Sequence, residues 1–159
     1  MPVHPDLTTY LRDHLAGSSG GVSLAKRMAS TTDDARRARE LKEIASDIEA
    51  DQEKLEQMME RLDIHQSQVK KLGAWLGERA SRLKLHSRSP GGRIMQLESL
   101  TIGVTGKLEL WRTLGELSGA NPELRDDELE KLCSRAEEQR ERLEALHIQV
   151  AREFDSAPA

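Results

Sequence analysis

Apolar and small residues return every third or fourth position along most of this chain, the period of a helix with one buried face. From Leu7 to Ala29 the stripe is Leu7, Leu11, Leu15, Ser18, Val22, Ala25 and Ala29, with Asp6 as the expected N-cap. It crosses Gly17-Ser18-Ser19-Gly20-Gly21 without losing phase. A helical glycine costs about 1 kcal/mol relative to alanine, yet the kept phase favours one continuous helix, with any kink at this run, over two short ones. Thr31-Thr32-Asp33 caps a second helix reaching about Leu62, with Leu41, Ile44, Ile48, Gln52, Leu55, Met59 and Leu62 on one face. A third, from about Ser67 to Leu85, carries Val69, Leu72, Leu76, Ala80 and Leu83, and the loop Ser87-Arg88-Ser89-Pro90-Gly91-Gly92 ends it. A fourth, from about Arg93 to Leu117, puts Ile94, Leu97, Thr101, Val104, Leu108, Trp111 and Gly115 in phase. Gly119-Ala120-Asn121-Pro122 reads as a stop, an Asn cap and a Pro at the first helical position. The last helix then runs from Glu123 to about Phe154 through Leu129, Leu132, Ala136, Leu143, Leu146, Val150 and Phe154.

The third helix, about 28 Å long at 1.5 Å per residue, suits a crossover that returns the chain to its starting end. The second and fourth helices would then run parallel, each in an antiparallel hairpin with the first and the fifth. An up-and-down bundle of five helices is the plainer alternative. Either way the chain is one helical-bundle domain over residues 1–159, ordered from about 6 to 155.

Composition agrees with an all-α chain: 33% charged and only 3% aromatic residues disfavour a sandwich or barrel. One cysteine, Cys133, excludes an internal disulfide, fits a reducing compartment and is expected to pack rather than react. The start, Met1-Pro2-Val3-His4-Pro5, lacks the basic and apolar regions of a signal peptide, so a cytoplasmic location is expected. No apolar run is long enough to span a membrane. The net charge of −4 hides an uneven distribution: residues 65–93 carry seven bases against one acid, while 33–63 and 123–155 each carry eleven acids against six bases. A basic crossover helix docked on acidic neighbours accounts for this. A basic edge for nucleic acid is a weaker reading, because stacking aromatics are missing.

Candidate chemistry is sparse. Glu144-Ala145-Leu146-His147 places a carboxylate and an imidazole on one helix face, the Glu-x-x-His spacing that serves iron or manganese in helical bundles. Glu49-Ala50-Asp51-Gln52 repeats it with Gln for His, Glu98 stands at the edge of its stripe, and His14 faces inward on the first helix. Glu144, His147, Glu98 and His14 are therefore the metal candidates, although a Glu-rich helix meets this spacing by chance. No other cofactor and no catalytic residue is expected. His14 reads more simply as a core histidine bonded to Gln139, Gln52 or Thr101. Gly17/Gly21 and Gly73/Gly77, four apart, suit close helix packing inside the bundle or a homodimer seam. Trp75 and Trp111 are expected to anchor the third and fourth helices in the core.

Tyr10-Leu11-Arg12-Asp13-His14-Leu15-Ala16-Gly17, Trp75-Leu76-Gly77-Glu78 and Gly106-Lys107-Leu108-Glu109-Leu110-Trp111 resemble segments of small bacterial helical-bundle proteins of unknown function. The whole layout resembles the ferritin-like superfamily, a four-helix bundle with an additional crossover helix between the second and third long helices. Neither resemblance implies an activity, since most of the second family's metal ligands are absent here. The expectation is a non-enzymatic interaction or scaffold module whose partner is a second copy or another protein. The runner-up is a divergent metal-binding oxidoreductase using Glu144 and His147.

Overall fold

The computed structural model describes residues 3–65 and 88–156. Among them are four long helices, α1 (Pro5–Thr31), α2 (Ala35–Arg61), α3 (Pro90–Ser118) and α4 (Asp126–Ala151), then one turn, α5 (Glu153–Ser156). None is long and apolar enough to cross a membrane. The expected third helix with Trp75, Gly73, Gly77 and most of the basic stretch lies outside the described residues.

α1 continues through Gly17–Gly21 as its unbroken stripe requires, because the flanking leucines and alanines bury the same face on both sides. Its cap differs from expectation. His4 is the N-cap, its Nδ1 accepting from the Asp6 amide at 3.2 Å, and Pro5 opens the first turn. Asp34 rather than Thr31-Thr32-Asp33 caps α2, through the Arg37 amide at 2.8 Å. α3 starts at Pro90, earlier than expected: Ser89 caps it by accepting from the Gly92 amide, so Pro90-Gly91-Gly92 is first helical turn and not loop. Asn121-Pro122 does not start α4. The Asn121 side-chain Nδ2 instead donates to the Leu117 carbonyl and closes the end of α3, and α4 begins at Asp126. Phe154 lies beyond α4, exposed, and is not a core residue.

Contacts fix the directions. Lys26–Glu49 and Ser19–Gln52 pair α1 antiparallel to α2; Glu98–His147 and Arg112–Glu137 pair α3 antiparallel to α4. The two hairpins meet along α1–α3 and α2–α4. Glu153 accepts from Arg37 at 2.6 Å and from Arg93, so the starts of α2 and α3 lie together at the α4 C-terminus. Partial burial pushes the Glu153 carboxyl up, but these two guanidiniums outweigh that and hold it below the usual range. α2 and α3 therefore run parallel.

The core is in two pieces. Trp111 and Leu114 centre one, with Leu11, Leu15, Leu55 and Met58; Ile44, Leu97 and Leu143 centre the other, with Val22, Ala25 and Val150. The first is built almost wholly of large side chains, while the second mixes leucine and isoleucine with alanine and valine. What separates them is polar.

Candidate functional site

Asp51 of α2, Lys107 of α3 and Gln139 of α4 meet between the two apolar halves, exposed by only 1%, 9% and 1%. Asp51 Oδ2 accepts from Lys107 Nζ at 2.6 Å and from Gln139 Nε2 at 2.9 Å, and Gln139 Oε1 accepts from Lys107. Arg135 Nη2 stands 2.9 Å from Asp51 Oδ1, in ion-pair contact but off the hydrogen-bonding direction. Burial lowers the Lys107 pKa, and the neighbouring Asp51 carboxylate opposes that. Stripping water from two charges costs several kcal/mol per ion, so such a pair is held by its geometry and its partners.

α1 contributes no large side chain at this level. There it carries Gly17, Ser18, Ser19, Gly20 and Gly21, and a cleft of about 850 Å³ opens between α1 and α3, with Ile48, Asp51, Gln52 and Leu55 of α2 beneath. Gly103 and Gly106 thin the opposite wall. Among the described residues, a Cβ at Gly17 or Gly103 would meet nothing within 4 Å, and one at Gly21 would meet Ile48 at an ordinary 3.9 Å. Gly17 and Gly21 are thus not the sites of tight helix approach that their spacing suggested. They leave room. The size matches ligand pockets, typically about 300–1,000 Å³, and the walls are mostly apolar, as such pockets are.

His14 lies on the cleft wall and not in a satisfied core position. Tyr10 meets its ring edge-to-face, centroids 4.6 Å apart, and it has no hydrogen-bond partner among the described residues. Gln139 is taken by Lys107 and Asp51, Gln52 donates to Ser19, and Thr101 donates to the Leu97 carbonyl. Burial lowers the His14 pKa, partly opposed by Asp13.

The structure brings only two of the four metal candidates together. His147 Nε2 and Glu98 Oε1 are 3.4 Å apart on the outer face of α3 and α4, Glu98 exposed and His147 half-buried. Glu144 is exposed and pairs with Arg140 at 3.6 Å; His14 is at the cleft. Glu49 is spent on Lys26 at 3.1 Å. Among the described residues no group of three or more His, Cys, Asp or Glu is placed to hold a metal ion. Cys133 packs against the core cluster around Trp111, and burial pushes its thiol pKa up, against nucleophilic use.

Sequence reasoning missed Asp51 and Lys107, and the signal was there. Ile48-x-x-Asp51-x-x-x-Leu55, Val104-x-x-Lys107-x-x-x-Trp111 and Ala136-x-x-Gln139-x-x-x-Leu143 each put a polar residue where the three–four repeat calls for an apolar one. No protein-family model, curated protein or solved structure matches this chain.

Proposed function

We propose that this protein is a non-enzymatic binding module with a ferritin-like helix layout, and that the cleft between α1 and α3 is where it binds. The observation that carries this reading is the placement of the glycines. Helical glycines at 17, 20, 21, 103 and 106 weaken two helices and line one space. A core selected for stability alone would fill that space, because voids forfeit dispersion contacts. The parallel run of α2 and α3 supports the ferritin-like layout. Against a metal role stands the mid-bundle layer, where the buried cation between Asp51 and Gln139 is the Lys107 ammonium.

The test is binding of an environment-sensitive apolar dye such as anilinonaphthalene sulfonate to the folded full chain. Gly21→Leu and Gly103→Leu fill the cleft from opposite walls and improve helix propensity. Both are expected to keep the fold by circular dichroism and to lose most of the dye signal. Unchanged dye binding in both variants would move the site elsewhere. Elemental analysis of tag-free protein tests the metal reading that the Glu98–His147 approach keeps open: stoichiometric iron or manganese would favour it.

A further inference from the structure

The two ends of the bundle carry opposite charge. One end gathers the starts of α2 and α3 and the turn α5, tied together where Glu153 meets Arg37 and Arg93. Residues 31–39, 88–93 and 152–156 hold six arginines, no lysine and four acids. Glu153 takes two of the arginines. The other four, Arg36, Arg39, Arg88 and Arg152, are exposed and in no ion pair among the described residues. Among them stands Phe154, the sole phenylalanine of the chain, 56% exposed, its ring 3.9 Å from where a Cβ on Gly91 would lie. An exposed aromatic side chain among arginines has the composition of an interface hot spot. The opposite end gathers the start of α1, the ends of α2 and α3 and the start of α4. Arg12 donates there to the His65 carbonyl at 2.6 Å, and Arg61 to Glu128 at 2.8 Å. Residues 4–12, 60–65 and 116–128 hold eight acids against three arginines. Of these acids Glu60, Glu116 and Glu123 are exposed and in no ion pair among the described residues. Val3, Leu7, Tyr10 and Leu117 are only half-buried, so this end also shows apolar surface.

We propose that the protein associates head to tail, the arginine end of one copy seated on the acidic end of the next, with Phe154 entering the apolar surface beside Tyr10 and Leu117. The proposal is independent of the cleft. Its partner follows from charge. A phosphate backbone is drawn to an unbroken positive surface, yet Asp33, Asp34, Glu153 and Asp155 are interspersed with these arginines. A protein surface of opposite bias tolerates such mixing, and the other end of this same chain supplies one. Opposite potentials steer encounter and fix orientation more than they add affinity, so the contact is weak, salt-sensitive and anchored by the one aromatic. The two surfaces are different, which makes the contact heterologous. Each copy in a pair leaves one end free, and association continues into open chains.

The test is sedimentation velocity of the full chain over a range of concentrations in low and high salt. The weight-average sedimentation coefficient is expected to rise with concentration in about 0.02 M salt and to return to the monomer value in about 0.5 M, where the screening length falls to about 4 Å. Arg36→Glu with Arg152→Glu makes both ends acidic, and Glu60→Arg with Glu116→Arg and Glu123→Arg removes the acidic excess. Each variant alone is expected to stay monomeric at low salt. An equimolar mixture should associate again, because each supplies the end that the other lacks. Phe154→Ser should weaken association about tenfold. All these positions are exposed, and circular dichroism checks that each variant is folded. A wild-type chain that stays monomeric at low salt up to about 0.5 mM overturns the proposal. Association that survives in both charge variants also overturns it and places the seam elsewhere, and so does a mixture that stays monomeric. If the wild-type chain is monomeric but binds heparin, and Arg36→Glu with Arg152→Glu abolishes that binding, the arginine end serves a polyanion instead. None of these results touches dye binding in the cleft, so this proposal and the cleft reading fail separately.

Discussion

The two hairpins of this bundle meet along two seams built in opposite ways. Between α2 and α4 long charged side chains span the seam. Arg142 reaches Glu40, Asp47 at 2.7 Å and Glu43 at 3.2 Å; Arg61 and Lys54 share Glu128 at 2.8 and 3.5 Å; Arg135 touches Asp51 and the Asp47 carbonyl. Between α1 and α3 no such lacing of charged side chains is found among the described residues: apolar side chains such as Leu11, Leu15 and Val22 pack towards the two ends, and glycine and serine line a cleft between them. The two acidic helices are thus held together by basic side chains of both, Arg135 and Arg142 of α4 and Lys54 and Arg61 of α2, so that net charge by segment is a poor guide to where like charges repel. Charge closes one seam, and its absence, with small residues, opens the other.

The comparison can be broken at four points. The polar layer joins the seams, and Asp51→Leu should cost the most, about 3–5 kcal/mol in urea denaturation, because it strands Lys107 in the core. The double change Asp51→Leu with Lys107→Met should recover most of that loss; if it does not, the layer contributes more than pairing. On the laced seam, Arg142→Ala should cost about 1 kcal/mol, because its partners are partly exposed, and the loss should shrink as salt is added. On the open seam the sign reverses. Gly17→Ala should stabilise by about 0.5–1 kcal/mol, since the methyl meets open space and the unfolded chain loses freedom; destabilisation would mean that something packs there. The smallest effect concerns His14. Its folded pKa lies below the ordinary 6.5, so the unfolded chain binds the extra proton first as pH drops. Stability should therefore fall as pH drops through 6.5 towards the folded value, and His14→Phe should flatten that part of the profile of melting temperature against pH.

Helix number, extent and pairing among the described residues could be read from the stripe, because burial of one face imposes a period that no loop imitates. Even the glycine run obeyed, its neighbours keeping phase. Ends were harder to read. Asn121-Pro122 has the composition of a helix start, but the Asn121 side-chain amide is taken by the open carbonyl of Leu117, and a cap is decided by which orphan group lies nearest. The candidate site was least legible. A Glu-x-x-His match fixes two side chains on one helix and leaves their direction in the bundle unset; Glu144 turned to Arg140 and His147 to Glu98. The cleft depends on what is missing from α1, and a missing side chain has no period. Asp51, Lys107 and Gln139 were visible as interruptions of three separate stripes, but that they coincide at one height is a property of the assembled bundle.

That coincidence has a consequence for alignment. Sliding α2, α3 or α4 by one turn against the others would put Asp51 or Lys107 opposite leucine, an unpaired charge in an apolar half-core, so these three helices lock in a single register. A buried polar contact is the best attested means of fixing register among packed helices. α1 contributes no member to the layer, only Ser18 bonded to its own Leu15 carbonyl. Three helices are keyed to one another in the core, while α1 is tied to α2 only by the part-exposed Lys26–Glu49 and Ser19–Gln52 contacts besides its apolar packing, which makes α1 the element whose position a guest in the cleft can adjust at least cost.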